Sequence, residues 1–576
     1  MRILVLQLAR FGDIYQTWPV LRALQRTRPD AELHVLVRAR FQDALAGFPA
    51  ATVHAWPTQD ILEPILNGDG SKPDEAQAEA IARFERAAEP LTGSPFDLII
   101  NLSFSPFSSY LTDFLTAGEC EVRGYTRHPD GHFHIPDDSS AYFYAQAGVG
   151  RANRYHVTEL FAAVAGVDLI DEDHWIEAPR PASDRRGIVV HLGASTEDKT
   201  YLPERWVSVL REVLSLSEEN VTLVGSAGER PLCQTVAAQA GSDRVLNRAG
   251  ESTLSELMNW IGSARLVIGA DSAPVHMATL TDTPYLNLSA DCVNFWETGP
   301  RSAGSRVLYA PSLQAIKPER VAQEALAMLK GEGPAGPCAV RESLSSGYLP
   351  QQMQFDDFSW RLIEALYTGS EYPKAGRRED ALAFQRLFEL SELALHQLDR
   401  WDSGKTRSTA AQVLAQIDQL LPEITRLNPR IEPAIQWFET ERIRIPPGEA
   451  QATLARTRAA FENLRWVAAV YREYQEPEQE YRRAAALCAE IVPELREYQF
   501  ARVQSAVQSL ISVLQELARH STKVGGASWS SVLSDLDTCL SSRDFIAFAD
   551  FLEWKLAPAL RSELTRRETL PPDVLS

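Results

Sequence analysis

The first candidate site lies at residues 7–14, QLARFGDI, which follow an apolar run typical of a buried strand. The loop places Gly12 and Asp13 at a predicted helix start, where free backbone amides and a glycine let a ligand approach closely. The carboxylate of Asp13 could act as a general base for a hydroxyl nucleophile. Aspartate is also a favoured helix N-cap, so the spacing leaves both roles open.

A second candidate site is the loop at residues 191–199, HLGASTEDK. Small hydroxylated residues such as Ser195 and the point charge of Lys199 suit phosphate oxygens. The alternative for Lys199 is a solvated loop lysine. The sequence therefore predicts a phosphate-binding loop whose charge comes from one side chain.

The third candidate site, residues 269–276, reads GADSAPVH and runs from a strand into a helix. Free amides near Ser272 and Ala273, together with the helix dipole, would favour a diphosphate. Asp271 could instead cap the helix, and His276 could belong to the core. The two phosphate-type loops are consistent with a ligand that carries a diphosphate group, with the structural roles of Lys199, Asp271 and His276 as the alternatives.

Short strands that alternate with helices must position these loops. Runs without polar alternation are typical of parallel strands covered on both faces. We predict strands at Arg2–Gln7, Glu32–Val37, Phe96–Leu102, Gly187–Leu192, Asn220–Gly225, Arg265–Gly269 and Pro284–Leu288. A helix is predicted over Thr17–Arg28, with Pro19 in its first turn. Two α/β units of this kind imply two doubly wound, Rossmann-like domains that face each other across a cleft, at residues 1–175 and 176–335.

The last part of the chain has a different pattern. Residues 331–338, GEGPAGPC, are typical of a linker, and the strand signal ends there. Amphipathic segments follow at about 408–421, 449–474, 478–518, 529–541 and 543–565, which predict an all-α bundle over residues 345–576. We expect the tryptophans of these segments to pack inside the bundle: Trp401, Trp437, Trp466 and Trp554.

Taken together, the three loops resemble glycosyltransferase family 9, the ADP-heptose heptosyltransferases. The resemblance rests on RILVLQLARFGDIYQTWPVLRAL, HLGASTEDKTYLPERW and GADSAPVHMA, in the order and spacing of the family, and covers residues 1–335. It implies a GT-B fold and inverting transfer without a cofactor or a catalytic metal. The donor would be a nucleotide sugar such as ADP-heptose.

The resemblance also implies roles for individual residues. Asp13 would be the catalytic base, with Arg10 and Gly12 on the acceptor side. Lys199 would hold the donor phosphates and offset charge on the leaving diphosphate, so it is the second catalytic residue. The donor would also contact Ser195, Thr196, Glu229 at the ribose, Asp271 at the sugar, and Ser272, Ala273 and His276 at the diphosphate.

The acceptor is the least determined part of the prediction. Arg10, Arg38, Arg40, Arg123 and Arg127 are present on the acceptor side, but they form no dense cluster in the sequence. Residues 544–556, DFIAFADFLEWKL, faintly resemble helical proteins encoded near flagellar genes, and the helical extension favours a protein acceptor such as flagellin. A lipopolysaccharide core is the alternative. A non-catalytic docking protein with a GT-B body is the second hypothesis.

Three histidines in the loop RHPDGHFH lie close enough together to suggest a metal, namely His128, His132 and His134. No carboxylate or cysteine stands at a firm spacing, so zinc is disfavoured. We expect a polar cleft loop in which His132 touches the acceptor. Residues 225–228, GSAG, lack the GxGxxG pattern, so a dinucleotide enzyme is disfavoured too.

Composition excludes further classes of protein. The 576 residues carry a net charge of −20, which disfavours a nucleic-acid binder. No apolar run approaches the roughly 20 residues of a transmembrane helix. The six cysteines form no CxxC pair, as is typical of reduced thiols. We therefore expect a cytoplasmic protein, with peripheral association with the inner membrane as the alternative.

Overall fold

The structure, a computed structural model, contains two compact units, and most of the chain is described. Unit 1 comprises Met1–Pro373, Ala394–Thr425 and Pro429–Leu464, and unit 2 comprises Lys374–Leu393, Arg426–Asn428 and Arg465–Ser576. The described residues are 1–48, 51–67, 73–116, 118–194, 196–375, 377–403, 410–445, 450–471, 477–520, 523–524, 527–542 and 544–569.

The first sheet of unit 1 has five parallel strands in the order β3-β2-β1-β4-β5. Its strands are β1 Arg2–Gln7, β2 Glu32–Arg38, β3 Ala51–Trp56, β4 Leu98–Asn101 and β5 Glu121–Gly124. This is the strand order of a Rossmann-like sheet. The first three predicted strands are confirmed as β1, β2 and β4, with ends that differ by at most two residues.

Helices and a small hairpin surround the first sheet. The helices are α1 Phe11–Thr27, α2 Thr58–Leu66, α3 Pro73–Thr92, α4 Pro106–Leu115, α5 Asp138–Gln146 and α6 Val157–Ala165, and the hairpin pairs β6 Thr126–Arg127 with β7 Phe133–His134. Helix α1 begins six residues before the predicted Thr17, so the placement of Pro19 in its first turn is wrong. Pro19 is buried inside the helix.

The second sheet repeats the order of the first and then extends it. Its strands β10-β9-β8-β11-β12-β13 are parallel, and β14 and β15 add an antiparallel edge. The bounds are β8 Ile188–His191, β9 Val221–Val224, β10 Val245–Asn247, β11 Leu266–Ala270, β12 Tyr285–Ser289, β13 Arg306–Tyr309, β14 Cys338–Arg341 and β15 Tyr348–Gln351. Its helices are α7 Pro203–Leu216, α8 Arg230–Ala240, α9 Leu254–Ser263, α10 Ala273–Leu280, α11 Phe295–Thr298 and α12 Pro318–Lys330.

The prediction of a linker at residues 331–338 is wrong in one respect. The chain does not leave the second sheet there, because β14 and β15 follow as strands of that sheet. Gly331 ends α12 in the left-handed conformation, with φ of 68°, which glycine adopts at little cost. Cys338 and Ala339 then return into the core, both at 0% exposure. The short runs of β14 and β15 gave too little periodicity to be recognised as strands.

The helical part of the chain is shared between the two units. Its helices are α13 Phe358–Thr368, α14 Arg378–Asp402, α15 Ala410–Leu427, α16 Glu432–Ile443, α17 Ala450–Ala469, α18 Pro477–Arg496, α19 Phe500–His520, α20 Trp529–Ser542, α21 Phe545–Asp550 and α22 Ala557–Thr569, with a π-helical turn at Phe551–Leu556. The expectation of an all-α region over 345–576 needs correction, because β15 belongs to the second sheet and β16 Lys523–Val524 pairs with β17 Ala527–Ser528. Within the described ranges, no helix is both long and apolar enough to cross a membrane.

Two of the tryptophans predicted to pack inside the helical region are exposed. Trp466 is 61% exposed and Trp554 is 70% exposed, while Trp401 and Trp437 are half-buried. In unit 2, Trp529 is the tryptophan that the core buries, at 3% exposure. Helical spacing alone did not predict which face of these helices is buried and which is exposed.

Candidate active site at the edges of the two sheets

The site is built at the carboxyl ends of parallel strands, where doubly wound sheets bind ligands. Strand β1 runs into the loop that carries Asp13. In the second sheet, β8, β9 and β11 run into the loops that carry Lys199, Glu229 and Asp271. Both sheets belong to unit 1, and α1 of the first packs against α10 of the second.

Asp13 is the third residue of α1 and caps its own helix. Its Oδ2 accepts a hydrogen bond of 3.0 Å from the backbone amide of Arg10, and the residue is half-buried. Because Oδ2 is engaged in this way, Oδ1 is the oxygen that would take a proton from an acceptor. The capping and the catalytic roles are therefore compatible.

His276, in the first turns of α10, lies directly opposite this loop. A methyl group on Gly12 would lie 3.0 Å from Cδ2 and 3.1 Å from Nε2 of the imidazole, so the glycine allows the two domains to approach. His276 is 7% exposed. Burial lowers its pKa, while the charges of Asp271 and Asp13 oppose that shift and Lys199 adds to it. The three predicted charged residues thus gather around one ring.

Three arginines lie together on the acceptor side of Asp13. Arg38 ends β2, and burial and the neighbouring charges of Arg40 and Arg10 lower the pKa of its guanidinium. Arg10 and Arg40 are exposed. The sequence showed no dense basic cluster, because residues 10 and 38 become neighbours only when β1 and β2 pair.

On the donor side, Lys199 and Asp271 form an ion pair, with 3.2 Å between Nζ and Oδ2. The side chains are 24% and 12% exposed, so both charges are partly removed from water. The Oδ1 atom of Asp271 is buried and has no hydrogen-bond partner among the described residues. A lysine held in this way can turn to donor phosphates, and the free carboxylate oxygen can accept from a sugar hydroxyl.

Ser272 is the N-cap of α10, and Ala273 and Pro274 follow it. Its Oγ lies 3.1 Å from Nδ1 of His191 and 3.2 Å from the carbonyl oxygen of Ala270. The helix start presents the free amides that the sequence predicted for a diphosphate.

Glu229 follows β9 and is held by Ser226, whose amide and hydroxyl donate to Oε2 over 2.6 and 2.7 Å. The other oxygen, Oε1, lies 3.6 Å from Nε2 of His191. A methyl group on Gly193 would overlap Oε1, so only glycine lets this carboxylate approach the end of β8.

The remaining predicted residues have less defined positions. Thr196 is exposed and begins a short turn, in which its carbonyl oxygen accepts a hydrogen bond from the Lys199 amide. Ser195 lies outside the described residues. His132 is exposed in the turn of the β6–β7 hairpin, where its Nδ1 lies 3.1 Å from Oδ2 of Asp130. The hairpin begins beyond the carboxyl end of β5, at the same edge as Asp13, but among the described residues no hydrogen bond or ion pair joins His132 to the other site residues.

No group of three or more histidine, cysteine, aspartate or glutamate side chains in the described part of the chain is arranged to hold a metal. Sequence reasoning missed His191, which is 9% exposed and joins the loops of Ser272 and Glu229. Its position at the last residue of a strand, where it opens the motif HLGAS, was the available signal. It also missed Glu297, a buried carboxyl that accepts from the Gly148 amide and from Asn153.

Comparisons with known proteins find a family match over part of the chain. The family model of glycosyltransferase family 9 (heptosyltransferase) matches residues 86–303, which include Lys199, Glu229 and Asp271. The lipopolysaccharide heptosyltransferase 3 of Escherichia coli is 26% identical over 291 residues, which are 48% of this chain and 80% of that protein.

Part of the chain is also similar to two solved structures. The E. coli heptosyltransferase WaaC with ADP is 17% identical, with a TM-score of 0.44, over 57% of this chain and 100% of that one. The E. coli ADP-heptose lps heptosyltransferase II is 19% identical, with a TM-score of 0.41, over 57% of this chain and 99% of that one. From the family match and the sequence relative, residues 86–303 form a glycosyltransferase family 9 domain, and the protein is a glycosyltransferase.

Proposed function

We propose that the protein transfers a heptose, or a related sugar, from an ADP-type nucleotide sugar to an acceptor hydroxyl. The observation that carries this proposal is the gathering of Asp13, Lys199 and Asp271 around His276. Residues 1–175 would hold the acceptor and residues 176–335 the donor. The family match supports the heptose, and the resemblance of the three loops to ADP-heptose heptosyltransferases supports the ADP-type donor.

In the proposed reaction, Asp13 Oδ1 accepts the proton of the acceptor hydroxyl. The oxygen attacks the anomeric carbon, the bond between that carbon and the diphosphate breaks, and the electron pair leaves with ADP. Attack opposite the leaving group inverts the anomeric centre. Lys199 and the amides at the start of α10 stabilise the charge that develops on the diphosphate.

For the acceptor, we favour the inner core of lipopolysaccharide. The cluster of Arg10, Arg38 and Arg40 provides positive charge beside Asp13, which suits an anionic saccharide, and the E. coli relative is a lipopolysaccharide heptosyltransferase. This reverses the preference for a protein that the helical extension gave at the level of sequence.

A protein hydroxyl is the second candidate acceptor. The family match ends at residue 303, before the helical region, and a second compact unit could serve to dock a protein. Flagellin as that protein stays a prediction. A non-catalytic docking role is disfavoured, because the proposed catalytic groups are brought together.

The donor proposal is tested by calorimetric titration with ADP, UDP, GDP and ADP-heptose before and after Lys199→Ala. The substitution leaves Asp271 unpaired beside the diphosphate, so ADP affinity should fall about tenfold to a hundredfold. Lys330→Ala, at an exposed lysine of the same domain, should change it less than about twofold. Binding that does not discriminate among the bases, or that survives Lys199→Ala, would contradict the donor proposal.

The catalytic role of Asp13 is tested with Asp13→Asn. The amide oxygen can still accept from Arg10 and cap α1, but it cannot take a proton. We expect transfer to fall by about a hundredfold or more, with ADP affinity and thermal stability close to wild type. Full transfer activity in this variant would show that another group is the base.

The two candidate acceptors are distinguished by incubation of the protein and a labelled donor with either purified lipopolysaccharide core or whole-protein extract. The acceptor is the one that becomes labelled.

A further inference from the structure

His191 lies between two parts of the proposed donor site but has no role in the chemistry described so far. It is the last residue of β8 and is buried. One ring nitrogen, Nδ1, is 3.1 Å from Oγ of Ser272, and the other, Nε2, is 3.6 Å from Oε1 of Glu229. The ring therefore joins the residue proposed for the diphosphate to the residue proposed for the ribose.

The surroundings hold this arrangement in place. Ser226 donates twice to Oε2 of Glu229, which leaves Oε1 to face the imidazole. Gly193 gives the carboxylate the space it occupies, since a side chain there would overlap Oε1. The geometry is thus a short polar chain, from Ser226 through Glu229 and His191 to Ser272, across the carboxyl ends of three strands.

The two contacts of His191 depend on each other. A neutral imidazole carries one N–H, and the carboxylate of Glu229 can only accept, so it favours the proton on Nε2. Nδ1 is then an acceptor, and the hydroxyl of Ser272 donates to it. With the proton on Nδ1, Ser272 would accept instead and donate to the carbonyl of Ala270, which is 3.2 Å away. The contact of His191 with Glu229 would therefore favour one direction of the Ser272 hydroxyl.

We infer that His191 is a positioning residue that couples the ribose and diphosphate subsites, so that a change at Glu229 alters how Ser272 meets the donor. The inference rests on the proposed function, because it assumes that a nucleoside diphosphate occupies both subsites. Burial lowers the pKa of His191, and the charge of Glu229 opposes that shift. His191 would act through its neighbours and would not touch the reacting atoms.

The test is a set of ADP titrations on the full chain, with Ser272→Ala, Glu229→Gln and the double variant. Residues in contact along one polar chain have non-additive effects. We expect the double variant to deviate from additivity by about fivefold in Kd, a typical coupling for residues in contact. The same four titrations in a His191→Asn background should show no deviation, because asparagine can reach Ser272 but is too short to reach Glu229.

The outcomes separate the inference from the proposed function. Additive effects of Ser272→Ala and Glu229→Gln in the wild-type background would overturn the inference. This test does not need a His191 variant, so it holds even if His191→Asn folds poorly. Coupling that persists in His191→Asn overturns the role of the ring. With ADP-heptose, His191→Asn should raise the donor KM and leave kcat within about twofold, whereas a purely structural defect would lower both the active fraction and kcat. Failure of the wild-type chain to bind ADP would overturn the proposed function, and the coupling with it.

Discussion

At the scale of single residues, side chains of the proposed site also make structural contacts. Asp13 caps α1 through one carboxylate oxygen, and Lys199 pairs with Asp271 across two loops. Such partners orient a side chain before the ligand arrives, so less conformational entropy is lost on binding. The same contacts explain why conservative variants, Asp13→Asn above all, are more informative than truncations.

Glu297 gives a pH-dependent prediction at the same scale. Burial raises its pKa to about 7, although donors from Asn153, Gly148 and Asn294 oppose the shift. An unfolded glutamate titrates near 4.5. Because the folded state holds the proton more tightly, Glu297 favours folding below about pH 4.5, and this contribution is lost as the pH rises to 7, at a cost of about 1–3 kcal/mol.

Glu297→Gln keeps a neutral side chain at all pH values and should avoid that loss. The difference in melting temperature, variant minus wild type, should rise by several degrees between pH 5 and pH 8. Glu332→Gln, at an exposed position of the same domain, serves as the control and should show a flat difference. A flat difference for Glu297→Gln as well would mean that the buried carboxyl does not titrate in this range.

At the scale of elements, the sequence predicted the positions of strands better than it predicted the contacts between distant segments. Apolar runs with uniform burial on both faces identified β1, β8 and β11 to within two residues, because parallel strands carry no alternation. The predicted order of the loops along the chain was enough to place Lys199 and Asp271 at one sheet edge. Periodicity does not encode pairing between distant segments. Three features depend on such pairing: the face on which Trp554 lies, the short strand β15, and the contact of His191 with Glu229.

The contact between α1 and α10 gives the element-scale prediction. A methyl group on Gly12 would meet the imidazole of His276 at 3.0–3.1 Å, which is closer than ordinary packing allows. Gly12→Ala should therefore displace His276 or separate the two helices, with a loss of about 1–3 kcal/mol in the free energy of unfolding. Transfer should fall more than ADP affinity does, because the displacement separates the acceptor and donor sides.

Chemical denaturation and initial rates of transfer measure the two effects. Gly93→Ala is the matched control, since its methyl group would find its nearest neighbour, a carbonyl oxygen, at 3.8 Å. It should be nearly neutral in both assays. If Gly12→Ala were as active and as stable as Gly93→Ala, the close approach of α1 to His276 would not exist in solution.

At the scale of the whole molecule, the chain passes between its two compact units more than once, since α14 begins in unit 2 and ends in unit 1. Each unit nevertheless has its own core. Leu286, on β12, lies in the core of the second sheet, and Leu552 lies in the core of unit 2, both at 0% exposure. Separate cores predict that each unit can be destabilised without the other.

Leu286→Ala and Leu552→Ala form a matched pair that tests this independence. Each substitution should cost about 2–5 kcal/mol, because each leaves a cavity in a packed core. In calorimetric melts, Leu552→Ala should lower one transition and leave ADP affinity unchanged below it, whereas Leu286→Ala should lower the other. Saturating ADP should raise only the transition that Leu286→Ala lowers, because a ligand stabilises the unit that binds it. If ADP instead raised the transition that Leu552→Ala lowers, unit 2 would take part in donor binding, and the proposal that residues 176–335 hold the donor would be wrong.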